Sequence, residues 1–232
     1  MGRPPIHKSG AMTDTERKRR YRKRLARKKA LENPRVKQKQ ERRAEREAEL
    51  GAKQLALPDR KYGVIVADPE WRFEPWSRET GLDRSADNHY PTSCLEVIAA
   101  RPVESIAAKD CVLFLWATVP MLPHALVVMG AWGFDYRSHF AWAKDRVGTG
   151  YWNRNKHELL LIGIKGRKVP CPAQGENCDS WIAAPGSPVH SAKPKCFLEM
   201  IEKFYPNLPK IELNRRGPPR DGWDAWGNEA VI

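Results

Sequence analysis

The sequence predicts a doubly wound α/β domain with a mostly parallel sheet, carried behind a basic helical N-terminal extension. Three observations lead there. Beyond residue 61, short β-branched apolar runs that stop at Pro, Gly or a charged residue alternate with stretches of helical periodicity. Charge is divided unevenly: residues 1–60 hold 20 basic and 8 acidic side chains, whereas residues 61–232 hold 21 and 20. All nine Trp lie beyond residue 70, so the core and most aromatic surface belong to the second segment. The net charge of +13 thus resides in an arm, 1–60, attached to a near-neutral domain, 61–232. That division excludes a uniformly basic nucleic-acid coat protein.

In the arm, residues 1–12 are rich in Gly and Pro, and Gly2-Arg3-Pro4 resembles the core of an AT-hook, whose Arg enters a narrow minor groove. Thr13 and Glu16 form a capping box that starts a helix. From Glu16 to Lys29 the apolar positions are only Tyr21, Leu25 and Ala26, a stripe too thin to bury. Asn33-Pro34 interrupts this helix, and residues 35–54 resume one without a core stripe. Such an arm is either a solvated linker or a phosphate-binding element, in which each Lys or Arg that meets a phosphate releases counterions.

In the domain, Tyr62 to Ala67 is apolar on both faces and halts at Asp68-Pro69, which reads as a buried parallel strand. Val112 to Trp116 reads as a second strand, and Pro120 to Met129 as a helix ending near Gly130. Phe134 to Arg137 and His139 to Trp142 make a third strand region, and Glu158 to Ile164 a fourth that ends at Lys165-Gly166. Residues 194–204 open with Pro and space Phe197, Met200, Ile201 and Phe204 as a helix does. Lys210 to Leu213 is a further strand. Trp116 and Trp132 are expected in the core. The stretches 72–92, 143–157 and 167–191 are long polar loops, which in a compact domain are usually functional or disordered. Sheets of this class bind ligands at the carboxyl ends of their strands, where Asp68 and Asn214-Arg215-Arg216 fall.

The remaining classes narrow quickly. No run approaches the roughly 20 apolar residues of a membrane span, and no signal peptide is expected. Five Cys without ladder spacing argue against a disulfide framework and for a reducing cytoplasm. Cys171, Cys178 and His190 suggest zinc at a glance, but six residues between the two Cys is longer than the usual spacing, so no metal is expected.

Asp68-Pro69-Glu70-Trp71 is the central chemical signal. An exocyclic amine on an aromatic base is a poor nucleophile because its lone pair is delocalised into the ring. The Asp68 carboxylate and the Pro69 carbonyl together can accept both amine hydrogens. That favours a more tetrahedral nitrogen with its lone pair turned toward a methyl donor. Trp71 can stack on the base, which must leave its helix to reach such a pocket. Taken alone, the tetrapeptide reads equally well as an Asp-Pro turn ending a strand.

Further motifs appear in order along residues 61–230: Tyr90-Pro91-Thr92, Phe114-Leu115-Trp116, Trp142-Ala143-Lys144, Gly150-Tyr151-Trp152, Glu158 to Gly166, His190-Ser191-Ala192-Lys193-Pro194, and Gly222-Trp223 through Gly227-Asn228-Glu229. With them the chain resembles the family of the catalytic subunit of the mRNA adenosine methyltransferase complex and its bacterial and phage DNA-adenine relatives. That resemblance implies a Rossmann-like methyltransferase domain that moves a methyl group from S-adenosylmethionine to the adenine N6 amine of nucleic acid. It implies Asp68, Pro69, Glu70 and Trp71 as the catalytic segment. It assigns the cofactor to Asp68, Lys193, Asn214, Arg215, Arg216, Asn228 and Glu229. Tyr90, Trp142, Lys144, Tyr151 and Trp152 would hold the flipped base and its flanks. The single-chain layout with its own basic arm favours DNA over RNA.

Two departures stand out. The family's second motif proline is Glu70 here, which puts a charge beside the site. Asn214-Arg215-Arg216 leaves open which Arg meets the cofactor. Glu70 also keeps alive a reading from another class, a catalytically inactive member that binds nucleic acid or activates a partner. Oligomeric state is not readable.

Overall fold

The computed structural model describes residues 14–31, 38, 41, 45, 57–71, 93–148, 152–169, 171–186, 192–215 and 217–227. The chain divides into two compact units, Met1–Ala48 and Glu49–Ile232. In the first, Asp14–Leu31 forms helix α1, with Asp14 and Glu16 in its first turn. Negative charge there complements the helix dipole, and Lys18 pairs with Asp14 at 3.3 Å one turn away. Tyr21 is exposed. The second arm helix, Thr13 and the AT-hook-like tripeptide lie outside the described residues.

The second unit holds β1 (Tyr62–Ala67), α2 (Leu95–Ala99), β2 (Ala107–Thr118), α3 (Leu122–Ala131), β3 (Asp135–Ala143), β4 (His157–Lys165), β5 (Trp181–Ala183), α4 (Lys195–Phe204), β6 (Lys210–Leu213) and β7 (Trp223–Trp226). They build a seven-stranded sheet of order β5-β3-β4-β2-β1-β6-β7. β4 runs antiparallel to both its neighbours, β2 and β3; the other pairings are parallel. This is a mostly parallel, doubly wound sheet of Rossmann-like type.

Alternation along the strands sends side chains to two layers. Ile65, Ala67, Leu113, Leu115, Leu159, Leu161, Ile211 and Leu213 pack with Ile98 of α2 and Ala125, Val128 and Met129 of α3. Val64, Val66, Val112, Phe114, Trp116 and Leu160 pack with Phe197, Ile201 and Phe204 of α4. Trp116 and Trp132 are core residues, 3% and 0% exposed. Gly163 of β4 permits the close seat of α3, since a Cβ there would lie 2.9 Å from the Met129 sulfur. All five Cys are free thiols, and among the described residues no helix is long and apolar enough to cross a membrane.

Several elements differ from the sequence expectation. The two segments around Ser138 form one strand with a register irregularity between Tyr136 and Ser138. The helix expected from Pro120 starts at Leu122, after a 3₁₀ turn at Val119–Met121. α2, β5 and β7 were not anticipated. Each has five residues or fewer, too short for periodicity to register, and β5 falls within a Pro- and Gly-rich stretch.

Candidate active site at the carboxyl edge of the sheet

β1 lies between β2 and β6, so the chain winds away from it in both directions. Strand-order reversal of this kind opens a crevice at the carboxyl ends. Asp68 leaves β1 there, and Asn214 and Arg215 leave β6 beside it. Lys144 leaves β3 at the same rim. Because β4 is antiparallel, its beginning arrives there: Glu158 pairs in register with Thr118 of β2 and Trp142 of β3. Lys193 precedes Pro194, the N-cap of α4.

Four of these side chains form an alternating row of charge. The Lys193 Nζ donates to Asp68 Oδ2 at 2.6 Å and lies 3.7 Å from Glu158 Oε2. Glu158 Oε1 in turn accepts from Lys144. The floor beneath is aromatic. Lys193 sits 5.5 Å from the Trp116 ring and Lys144 4.6 Å from the Trp142 ring, each within cation–π range. The two indoles meet edge to face at 6.1 Å. Burial works to raise the Glu158 pKa, but the attraction and hydrogen bonds of Lys193 and Lys144 outweigh it and hold the carboxyl below its ordinary value. Glu158 is therefore a fixed negative charge between two cations. Asp68 is the most accessible of the four, its side chain 31% exposed against 17% for Lys193 and 14% for Glu158.

The rest of the tetrapeptide serves to hold Asp68. The Pro69 carbonyl accepts from the Trp71 N–H at 2.8 Å, leaving its second lone pair. Trp71 was expected to stack on a base; instead it is 9% exposed, lies in the core cluster, and donates its indole N–H to the Trp116 carbonyl at 3.0 Å. A buried indole needs such an acceptor, and this one pins the loop to β2. Trp142 likewise departs from its expected place. It is 4% exposed, donates to the Ala184 carbonyl at 2.8 Å, and forms floor under Lys144 rather than an open platform. Trp152 is fully exposed, at 101%.

Glu70 does not bring free charge to the site. Its carboxylate accepts a two-nitrogen fork from Arg101, the Ser93 hydroxyl at 2.6 Å and the Asn214 side-chain amide at 2.7 Å. Burial pushes its pKa up, but the Arg101 charge and hydrogen bonds and the Ser93 hydroxyl prevail, holding it below the ordinary value. It cannot serve as a catalytic acid or base while so engaged. Asn214 is engaged too, since its carbonyl oxygen accepts from Arg101 at 3.3 Å, so that its side chain braces Glu70 and Arg101. Arg215 donates from Nε to the Pro218 carbonyl at 2.6 Å and pairs with Glu212, so its guanidinium is held by its own neighbours. Tyr90, Tyr151, His190, Arg216, Asn228 and Glu229 lie outside the described residues. Cys171 and Cys178 are exposed thiols.

Sequence reading missed the roles of Glu158 and Arg101. A Glu abutting the apolar run Leu159–Gly163 was the available signal for the first. Arg101 had none; only the fold brings it to Glu70.

Residues 62–229 match the MT-A70 family. The chain belongs to that family. Among MT-A70 relatives, it is similar to the type II methyltransferase M.MunI of Mycoplasma sp, 34% identical over 189 residues that span 75% of this chain and 79% of the relative. It is also similar to the N(6)-adenine-specific methyltransferase METTL4 of Mus musculus, 22% identical over 187 residues, 73% of this chain but 38% of that protein. The MT-A70 match begins at Tyr62, the first residue of β1, and takes in the whole sheet and every described residue of the charged row.

Proposed function

We propose that this MT-A70 methyltransferase transfers a methyl group from S-adenosylmethionine to the N6 amine of adenine, in DNA rather than RNA. The observation that carries the reading is the contact of Asp68 with Lys193 at 2.6 Å at the carboxyl end of β1. The two opposite charges suit the zwitterionic amino-acid end of the cofactor: Asp68 takes its ammonium, and Lys193, a compact charge on a flexible stem, takes its carboxylate. In the free protein they neutralise each other, and the ligand exchanges that pair for two intermolecular ones. Arg216, Asn228 and Glu229 are assigned by resemblance to its ribose and adenine. Given how Arg215 is engaged, Arg216 is the better candidate of the two.

When bound, the cofactor supplies an electrophilic methyl on a sulfonium. The chain supplies the acceptor's geometry. Asp68 and the second lone pair of the Pro69 carbonyl would accept hydrogen bonds from the two hydrogens of the adenine amine, which turns the nitrogen lone pair outward, and the proton that the nitrogen sheds on methylation would leave through the Asp68 carboxylate. Lys193 is itself held at this rim by Glu158 and the Trp116 face, where it would meet the cofactor carboxylate. Tyr90, Tyr151 and Trp152 supply stacking for the extruded base and its neighbours. Lys144 is a structural cation that holds Glu158.

Glu70 was the reason to consider an inactive member of the fold; with its charge taken up by Arg101, that reason lapses. The name of METTL4 supports the N6 position. The DNA preference rests on the single-chain layout and basic arm, and it brings with it a cytoplasmic location, where free thiols stay reduced. The test is incubation of purified protein with labelled S-adenosylmethionine and adenine-containing DNA or RNA, with methylated nucleosides identified by mass. N6-methyladenine in DNA, lost by a factor of 1000 or more in Asp68→Ala, is expected; transfer to neither polymer, or full activity in that variant, refutes the reading.

A further inference from the structure

By the resemblance drawn from the sequence, Glu70 stands where the family's second proline is expected, and its surroundings differ from those of a chance surface charge. Its acceptor sites receive donors from three separate pieces of chain. Ser93, just ahead of α2, gives its hydroxyl to the side chain and its backbone N–H to the Glu70 carbonyl at 3.0 Å. Arg101, just past α2, gives the guanidinium fork, with its side chain only 6% exposed. Asn214, just past β6, gives its amide. Arg101 also lies 5.8 Å from the Trp226 ring of β7.

The β6 and β7 exits are themselves locked together. The Trp226 carbonyl accepts from the backbone of Asn214 at 2.6 Å and of Arg215 at 3.3 Å. Asn214 takes a left-handed backbone, φ 63°, which Asn tolerates better than most side chains. Gly227 approaches so closely that a Cβ would lie 3.1 Å from the Asn214 Cα. One buried ion pair therefore ties together the exits of β1, β6 and β7, the three segments that lead to Asp68, to Arg215-Arg216 and to Asn228-Glu229.

We propose that Glu70 and Arg101 are positioning residues which hold these three cofactor-facing exits in register, an ion pair doing here what a second proline ring does in relatives. The proposal rests on the methyltransferase reading and deepens it. A proline restrains the loop covalently by fixing φ and narrowing the unfolded ensemble. A glutamate leaves the backbone free, so the restraint must come from its tethers, and a bidentate Arg fork is the most directional available. The Arg101 Nε, buried and without a hydrogen-bond partner, marks how far the site is fitted around the fork rather than around Arg itself.

Buried ion pairs have a property that makes the idea testable. Removing one partner leaves an uncompensated charge, whereas replacing both by apolar groups is often neutral. Calorimetric titration with S-adenosylhomocysteine reports the competent fraction as stoichiometry and the site geometry as Kd, separately. Glu70→Gln, Glu70→Pro, Arg101→Met and Arg101→Lys are each expected to raise Kd tenfold or more with stoichiometry near one site per chain. The double variant Glu70→Pro with Arg101→Met is expected to return Kd to within about threefold of wild type. Should a single variant fail to fold, the double still reads out the exchange. Single variants that lose only stoichiometry or thermal stability while Kd stays put, or a double variant whose loss is the product of the single losses, overturn the positioning role. If the wild type itself binds no S-adenosylhomocysteine, the methyltransferase reading falls, and this proposal with it.

Discussion

Replacing Lys193 by Met leaves an unbranched apolar side chain one atom shorter and removes the ammonium, so it tests what that group does. Two effects compete. The variant loses a charge-assisted hydrogen bond to the cofactor carboxylate, typically about 1.5–3 kcal/mol. It also releases Asp68 from a 2.6 Å contact that the ligand must otherwise exchange, which returns part of that loss. The Lys193 side chain is 17% exposed, so solvent screens the interaction incompletely, and the balance stays unfavourable at about 2 kcal/mol. That corresponds to a Kd for S-adenosylmethionine weaker by about 30-fold. A second signature follows from the 3.7 Å contact with Glu158. Without Lys193 that carboxyl retains Lys144 alone, its pKa rises toward the ordinary value, and donor affinity gains a dependence on pH on the acid side that the wild type lacks. Titration calorimetry at pH 5 and pH 7.5 measures both. A Kd within threefold of wild type at pH 7.5 would mean that Lys193 does not meet the cofactor, and the site assignment would have to be rebuilt around other residues.

Trp152→Ala should raise the KM for nucleic acid about tenfold, from the loss of about 1–3 kcal/mol of stacking, with unchanged donor Kd and melting temperature because the ring is fully exposed; steady-state kinetics with varied DNA checks it. The pH dependence of stability should report the Glu70 pair. A carboxylate whose folded pKa is depressed adds stability above its unfolded value, near 4.5, and loses that contribution as pH falls through the folded value. The stability difference between wild type and Glu70→Gln, measured by urea unfolding, should thus be largest at neutral pH and narrow below pH 4.5; a constant gap would deny the ion pair its role. Truncation after Ala48 removes the first compact unit and spares Leu57, packed on the core, and Arg60, paired with Asp224 at 2.8 Å. It should weaken DNA binding and flatten the slope of log affinity against log salt, as fluorescence anisotropy across a salt series would record, while donor affinity holds.

The architecture was legible where strands are buried on both faces. Tyr62–Ala67 announces itself by an unbroken apolar run and an abrupt polar stop, and Lys210–Leu213 by Ile211 and Leu213 alternating with charge before Asn214; those stops are the site. Short edge elements were not legible, because Trp181–Ala183 and Trp223–Trp226 draw their hydrogen bonds from neighbours distant in sequence. Three of the four residues of the charged row were legible: Asp68, Lys144 and Lys193 sit in recognisable motifs, while Glu158 looked like the start of a strand. Aromatic residues misled most. Trp71 and Trp142 share residue type with Trp152, yet the first two find backbone acceptors for their indole N–H inside the fold and the third does not enter it. Burial of a Trp depends on such a partner, which sequence spacing does not reveal. Glu70 reversed its apparent meaning for a similar reason, since its partner lies 31 residues away.

The reversed direction of β4 has an outcome for how this scaffold can change. The segment from Lys144 to Lys156 departs from and returns to a single rim, its ends clasped by a bond from the Lys144 N–H to the Lys156 carbonyl at 2.7 Å. Its length and composition can vary without disturbing any register behind it. Exchange of residues 145–155 between homologues, with Lys144 and Glu158 kept, is therefore expected to change contacts at the rim while leaving the charged row intact.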